Sequence, residues 1–264
     1  IPSILEDLIG ARVKEPQHLD TNDALETWSE AVTLFGAAAK EARARLKKDG
    51  MLKLYDTMEH STIFILARME KAGIEVDAHA LGEMSKKFET ELSKLTVRIY
   101  KQAGREFNIN SPSQIAEVLF DTLELSTTGI KRTQSGYSTA SPMLDKLHDA
   151  HPIVPLIGEY RELTKLKSTY VDTLPKLCDS SSRVHTTYNQ TVAATGRLSS
   201  QDPNLQSIPI RTDLGREIRA AFVAPRGKQL VSADYSQIEL RLVAALSGDQ
   251  TMVGIFKNGG DIHR

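Results

Sequence analysis

Between Asp77 and Gly104 the sequence repeats apolar residues at spacings of three and four: Leu81, Met84, Phe88, Leu92, Leu95 and Ile99. That period matches one face of an α-helix and excludes a strand. Asp77 suits the N-cap, and the helix is expected to end near Ala103-Gly104. A stripe of this length needs packing partners, and helical signals flank it on both sides. Upstream, Leu54, Met58, Ile65 and Met69 fall on one face, with Lys71-Ala-Gly73 as a stop. Downstream, Ser111-Pro-Ser-Gln114 reads as a capping box with Pro at the first helical position. Ser141-Pro142 starts a short helix. Pro152 opens a long one to about Tyr170, with Leu156, Tyr160 and Leu163 inward and Arg161, Lys165 and Lys167 outward. Residues 121–140 lose periodicity and gain Thr, Ser, Gly and Lys, which predicts a mobile, mildly basic loop.

The character changes near 175–182. Val184-His-Thr-Thr-Tyr-Asn-Gln190 has the β-branched and aromatic content of a strand. Residues 195–215 are rich in turn formers. Ile218–Val223 and Gln229–Ala233 read as short strands, although Ile218–Ala221 could equally be a helical turn. Helices resume at about 237–247 and 249–257. The expected class is therefore α+β, mainly helical first and mixed afterwards. Residues 1–53 are irregular, then Ala-rich and helical around Ala31–Leu46.

The net charge of −1 over 264 residues gives no global attraction to nucleic acid. Any such surface must be local, and residues 181–230 carry seven Arg or Lys against three Asp or Glu. The single cysteine, Cys178, cannot form a disulfide within the chain or join a cysteine-rich metal site, which fits a reducing cytoplasm. No apolar run approaches a membrane span. The start, Ile1-Pro-Ser-Ile, has neither an initiator Met nor a basic leader, and the sequence stops at Asp261-Ile-His-Arg264. The chain is expected to be an internal piece of a longer protein, and His263 is given no catalytic role.

The chemistry-bearing candidate is Asp234, where the apolar run Gln229-Leu-Val-Ser-Ala meets a helical pattern. A carboxylate there can hold a divalent metal at the edge of a core. It can equally be a turn residue, since turns favour Asp. Ser236-Gln-Ile-Glu239 reads as another capping box, with Glu239 at the third helical position.

Three stretches carry a resemblance: Ala194-Thr-Gly-Arg-Leu-Ser-Ser200, Asp202-Pro-Asn-Leu-Gln-Ser-Ile-Pro209 and Asp234-Tyr-Ser-Gln-Ile-Glu-Leu-Arg241. In order and content they resemble the palm of family A DNA polymerases, the bacterial DNA polymerase I type. Asn108-Ile-Asn-Ser-Pro-Ser-Gln-Ile115, Tyr160-Arg-Glu-Leu-Thr-Lys-Leu-Lys-Ser-Thr-Tyr170 and Arg183-Val-His-Thr186 resemble the thumb and its junction with the palm.

The resemblance implies a helical thumb over 54–180 and part of an antiparallel-sheet palm over 181–264, ending before the fingers. Residues 1–53 would be the tail of a 3′–5′ exonuclease-like domain. Phe35-Gly-Ala-Ala-Ala39 places Ala where that domain's metal-binding Asp should stand, so such a domain is expected to be inactive. The resemblance further implies template-directed addition of deoxynucleotides to a primer end, with two Mg2+ ions in the complete enzyme. Asp234 would bind metal, the Tyr235 carbonyl would be a further ligand, and Glu239 would exclude ribonucleotides at the sugar 2′ position. Arg197 would reach the minor groove, whose acceptors are nearly alike for every base pair. Asn204 and Gln206, and more weakly Gln190 and Arg211, would join it on the duplex. Lys131, Arg132, Lys165 and Lys167 would meet phosphates; on charge patterning alone each of the three lysines could equally lie on a solvated helix face. Expected partners are primer–template DNA and deoxynucleoside triphosphates, with no membrane, for a cytoplasmic monomer. The fingers Lys and Arg and the second carboxylate motif do not appear before Arg264, so the isolated chain is expected not to extend a primer. A duplex-binding module without chemistry is the alternative.

Overall fold

The computed structural model describes residues 7–10, 21–134 and 136–262. The opening Ile1-Pro-Ser-Ile and His263 lie outside these residues. The chain forms two compact units, Ile1–Phe222 and Val223–Arg264.

The long amphipathic helix spans Ala78–Ala103. Asp77 caps it, its Oδ1 accepting from the Ala80 N–H at 2.9 Å, and Gly104 ends it at φ 70°. Its stripe is the spine of the core. Leu81, Phe88, Leu95 and Ile99 are buried, with Met84 and Leu92 packed at the margin. Against them lie Ile153, Ile157 and Leu163 of the helix Ile153–Leu166. Ile115 of Pro112–Ala116, Val118, Leu119 and Leu174 join the same cluster. Removing each such large apolar side chain from water contributes about 1.5–3 kcal/mol.

Ser111 does cap Pro112–Ala116, but the box is not reciprocal. The Ser111 N–H already donates to the Asn108 carbonyl at 2.9 Å. Gln114 Oε1 therefore accepts from the Asn108 N–H instead, at 2.7 Å. Arg161 turns inward, contrary to expectation. Its guanidinium donates to the Thr139 carbonyl and to Thr139 Oγ1, tying the helix to the segment before Ser141–Lys146. The expected loop at 121–140 contains a small hairpin, β2 (Arg132–Thr133) against β3 (Gly136–Tyr137), with Arg132 over the Tyr137 ring at 5.6 Å.

Among the described residues, three helical segments widen to π geometry, at Tyr55–Glu59, Glu117–Thr122 and Lys167–Val171. The first leads into His60–Ala72. The predicted apolar face there is present but uncovered among the described residues: Leu54, Met58, Ile65 and Met69 are all exposed. Upstream, the helix Thr21–Lys48 extends further than the sequence pattern suggested, and both Phe35 and Ala39 lie on it.

A small sheet joins distant parts of the chain. β1 (Ile74–Val76) pairs antiparallel with β4 (Arg183–Val184), Ile74 opposite Val184, and β7 (Phe222–Val223) lies on its other side. The helix Asp213–Ala220 precedes β7, so the helical alternative holds for Ile218. The expected 184–190 strand is split. Beyond β4 it resumes as β5 (Thr187–Asn189), which pairs with β6 (Ser199–Gln201).

In the second unit the strand expected at Gln229–Ala233 does not form. An apolar run becomes a strand only when its backbone groups find a neighbouring strand, and no described strand pairs with it. Val231 is almost fully exposed. The helix after it, expected from about 237, starts at Ile238 and runs to Ser247, with Gln237 rather than Ser236 at the cap; Gln250–Lys257 follows.

Candidate nucleic-acid interface and metal site

The β5–β6 hairpin is held from outside by the helix His60–Ala72 and the turn before it. The Tyr188 N–H donates to Glu70 Oε1 at 2.7 Å, and Gln190 Nε2 donates to Glu59 Oε2 at 2.7 Å. Gln190 is therefore committed to positioning the hairpin. Arg197 lies exposed in the loop between the two strands. After β6 the chain turns through Pro203 into a short 3-10 helix, Leu205–Ser207. Asn204 caps it, Oδ1 accepting from the Gln206 N–H at 3.0 Å, and Gln206 Nε2 donates back to the Leu198 carbonyl at 3.3 Å. Arg197, Asn204 and Gln206 are thus exposed on one hydrogen-bonded frame. Arg211 is exposed beyond it, and its carbonyl accepts from Arg216.

The base of this frame is joined to the helical part by Arg183 and His185. Arg183 donates to the Ala72 carbonyl at 2.6 Å and the Gly73 carbonyl at 3.0 Å. His185 Nδ1 meets the Glu70 carbonyl at 2.7 Å, and Nε2 meets Asp179 Oδ2 at 3.1 Å. Together they satisfy carbonyls at the C-terminus of His60–Ala72, where positive charge is favoured. The Glu70 carbonyl, then the Asp179 carboxylate, raise the His185 pKa above its ordinary value. The sequence reading missed this clasp, because its partners are more than a hundred residues apart. The Arg and His of Arg183-Val-His185, flanking one buried Val, were its available signal.

The candidate phosphate contacts divide. Lys131, Arg132 and Lys165 are exposed. Lys167 is occupied: its ammonium lies 2.8 Å from Asp172 and 3.3 Å from Glu89, and Ser85 Oγ donates to the other Asp172 oxygen at 2.7 Å. The Asp172 hydrogen bond is the main cause that raises its pKa, so it stays charged but engaged.

In the second unit Asp234 and Tyr235 are exposed in the irregular stretch before the helix. Gln237 turns the chain at φ 52°, a left-handed position, and caps the helix with no side-chain bond. The expected box is therefore not made: Glu239 is the second helical residue, one short of the place that would reach back. Arg241 secures the turn. Its Nε donates to the Ser236 carbonyl at 2.9 Å, and its guanidinium lies 4.6 Å from the Phe256 ring centroid. Gln237 Oε1 is buried with no hydrogen-bond partner among the described residues.

A carboxylate and an adjacent main-chain carbonyl are hard oxygen donors, which suits magnesium, and Asp234 is accessible to it. They would make up part of a coordination shell, the rest being water and phosphate oxygen. Among the described residues no group of three or more His, Cys, Asp or Glu could hold a metal by itself. No described helix is long and apolar enough to cross a membrane.

Comparison with known proteins gives concordant results. The sequence model of DNA polymerase family A matches residues 78–264. The thermostable DNA polymerase I of Thermus thermophilus is 47% identical over 245 residues, 92% of this chain and 29% of that protein. DNA polymerase I of Deinococcus radiodurans is 48% identical over 220 residues, 83% of this chain and 23% of that protein. Among solved structures, the POL domain of Pol1 from M. smegmatis in complex with DNA primer-template and dNTP superposes with a TM-score of 0.84 at 36% identity, covering 99% of this chain and 45% of that one. The chain spans less than a third of the length of these two curated relatives.

Proposed function

Because the chain belongs to DNA polymerase family A, we propose that it is the thumb and first part of the palm of a DNA-directed DNA polymerase. The thumb would run over 54–180 and the palm over 181–264, preceded by the tail of an inactive exonuclease-like domain. The protein of which it is part would add deoxynucleotides to a primer 3′ end, as a cytoplasmic monomer acting on primer–template DNA and deoxynucleoside triphosphates.

Phosphoryl transfer needs positioning and charge neutralisation more than covalent help, and a pair of Mg2+ ions supplies both. Asp234 and the Tyr235 carbonyl are the residues that would hold them here. Glu239, near the start of its helix, would guard the sugar 2′ position. Arg197, Asn204 and Gln206 would lie along the minor groove, testing the shape of a base pair without demanding a sequence. Lys131, Arg132 and Lys165 would meet phosphates.

The observation that supports this reading best is the frame that exposes Arg197, Asn204 and Gln206 together on connected backbone. The test is fluorescence anisotropy of a labelled primer–template with the purified chain. Salt-sensitive binding, weakened by Arg197→Ala, is expected; absence of binding at low salt refutes the reading. Mg2+-dependent nucleotide binding that Asp234→Asn removes would separate a polymerase segment from a duplex-binding module without chemistry.

A further inference from the structure

Three polar residues are buried as a whole among the described residues: Thr139, Thr186 and Ser200. Thr139 is engaged by Arg161. The other two lie together, oxygen to oxygen at 2.7 Å, beneath the turn that carries Asn204. Burying two hydroxyls is costly unless both are satisfied, so the direction of their protons matters.

Each hydroxyl has one proton to give and two lone pairs to receive with. The Leu205 N–H donates to Ser200 Oγ at 3.1 Å. Thr186 Oγ1 faces two carbonyls that can only accept, Pro203 at 2.8 Å and Gln201 at 3.0 Å. Thr186 must therefore spend its proton on those carbonyls, and Ser200 must donate to Thr186. The reverse order would send the Ser200 proton to the Pro203 carbonyl at 3.3 Å. It would leave both closer approaches to Thr186 as oxygen against oxygen with no proton between. The order is Leu205 N–H to Ser200, Ser200 to Thr186, and Thr186 to Pro203 and Gln201.

This directed chain closes the turn 201–205 onto the bend between β4 and β5. Both of its ends adjoin the candidate duplex contacts. Pro203 and Leu205 flank Asn204, and Gln206 follows, its side chain reaching back to Leu198 beside Arg197. From the other side, Ser207 is held by the Tyr170 hydroxyl at 2.6 Å.

We infer that Thr186 and Ser200 are positioning residues for duplex recognition: their ordered hydroxyl pair sets the pose of Arg197, Asn204 and Gln206 without touching DNA. The inference rests on the duplex-binding reading above. It assigns a positioning role to two side chains that would otherwise count as polar residues in a core.

The experiment uses the 264-residue chain, primer–template anisotropy over a salt series, and thermal unfolding. Thr186→Val keeps the shape and removes the proton that Thr186 gives to the Pro203 and Gln201 carbonyls. Affinity is expected to fall about tenfold, the size of one lost buried hydrogen bond. The slope of log affinity against log salt should stay the same, because no phosphate contact is removed. Thr186→Ser should restore binding, and Ser200→Ala should reproduce the loss if Thr186→Val fails to fold. If the wild-type chain binds and Arg197→Ala weakens it, but neither Thr186→Val nor Ser200→Ala does, the positioning inference alone is overturned. A changed salt slope, or a loss that Thr186→Ser does not rescue, also overturns it. If the wild-type chain does not bind the duplex at all, the functional reading fails first and takes the inference with it.

Discussion

Replacing Gly73 with alanine should be among the most damaging single-methyl changes in the first unit. Gly73 follows the helix His60–Ala72 at φ 56° and ψ −169°, a conformation open essentially only to glycine. Forcing an L-residue into it costs about 1–3 kcal/mol. A Cβ there would also lie 2.6 Å from the Val184 carbonyl oxygen and 2.8 Å from the His185 ring, where ordinary contact begins at 3.4 Å. Neither neighbour can yield freely. Val184 is paired to Ile74 in the sheet, and the His185 ring is held by Glu70 and Asp179. Overpacking of this kind adds about 1–3 kcal/mol. Together the two effects amount to about 2–6 kcal/mol. At about 2–4 °C per kcal/mol for a chain of this size, the unfolding midpoint should drop by about 10 °C. The control is Gly82→Ala. Gly82 is exposed within Ala78–Ala103, with nothing within 4 Å of the new Cβ. There the same methyl should stabilise by about 0.5–1 kcal/mol through helix propensity. Thermal unfolding followed by circular dichroism measures both. A Gly73→Ala midpoint within 2–3 °C or so of wild type, or a destabilised Gly82→Ala, would refute the reasoning.

The His185 clasp makes stability depend on pH. With its pKa raised above 6.5, chiefly by the Glu70 carbonyl and then by Asp179, against a smaller opposing effect of Arg183, its contribution is complete below pH 6.5 and fades as pH rises through the raised value. Asp179, held low by the Arg183 N–H and by His185, contributes above its ordinary 3.8 and is lost as pH falls through its lowered value. Proton NMR of the imidazole should show a titration above 6.5 that Asp179→Asn moves down; a wild-type titration at or below 6.5 would refute it. Phe88→Ala opens a cavity in the core and should cost about 3–5 kcal/mol by urea unfolding; a cost under about 1 kcal/mol would place Phe88 outside a rigid core. Lys165→Ala should lower the salt slope of duplex binding by about 1 without changing the unfolding midpoint. Lys167→Ala should lower the midpoint by several degrees and leave the slope alone, since its ammonium is spent on Asp172 and Glu89; the opposite pattern would return Lys167 to the DNA.

What the sequence disclosed is what local chemistry decides. The Asp77 cap, the Gly104 stop and the stripe from Leu81 to Ile99 need no distant partner, and each appears where the spacing places it. The Pro112 start is equally local, yet Gln114 found Asn108 because a carbonyl three residues back had already taken the Ser111 N–H. Gln229–Ala233 had the composition of a strand and lacked a described strand to pair with. Ser236 and Glu239 had the spacing of a box, but the left-handed turn at Gln237 starts the helix at Ile238 and leaves Glu239 at its second position. Arg161 and Lys167 read as surface cations because Thr139 and Glu89 come from other segments of the chain; Asp172, five residues after Lys167, was the local signal that went unread. The site follows the same division. Asp234, Arg197, Asn204 and Gln206 were visible as motif residues. Thr186 and Ser200 stand in stretches that carry the same resemblance, but nothing local showed that their hydroxyls would be buried against each other.

The pairing of β1 with β4 has a kinetic consequence. Ile74 faces Val184 only after the whole run of helices between them has been traversed. Closing so long a span in a disordered chain costs entropy that a few ladder hydrogen bonds cannot return. If the helices from Ala78 onward have already collapsed around Phe88, their two ends are delivered to one place and the span to be closed is short. The sheet is then a late latch rather than a nucleus. Substitutions in β1 or β4 should speed unfolding and leave the folding rate nearly untouched, while substitutions along the Leu81–Ile99 stripe should slow folding itself.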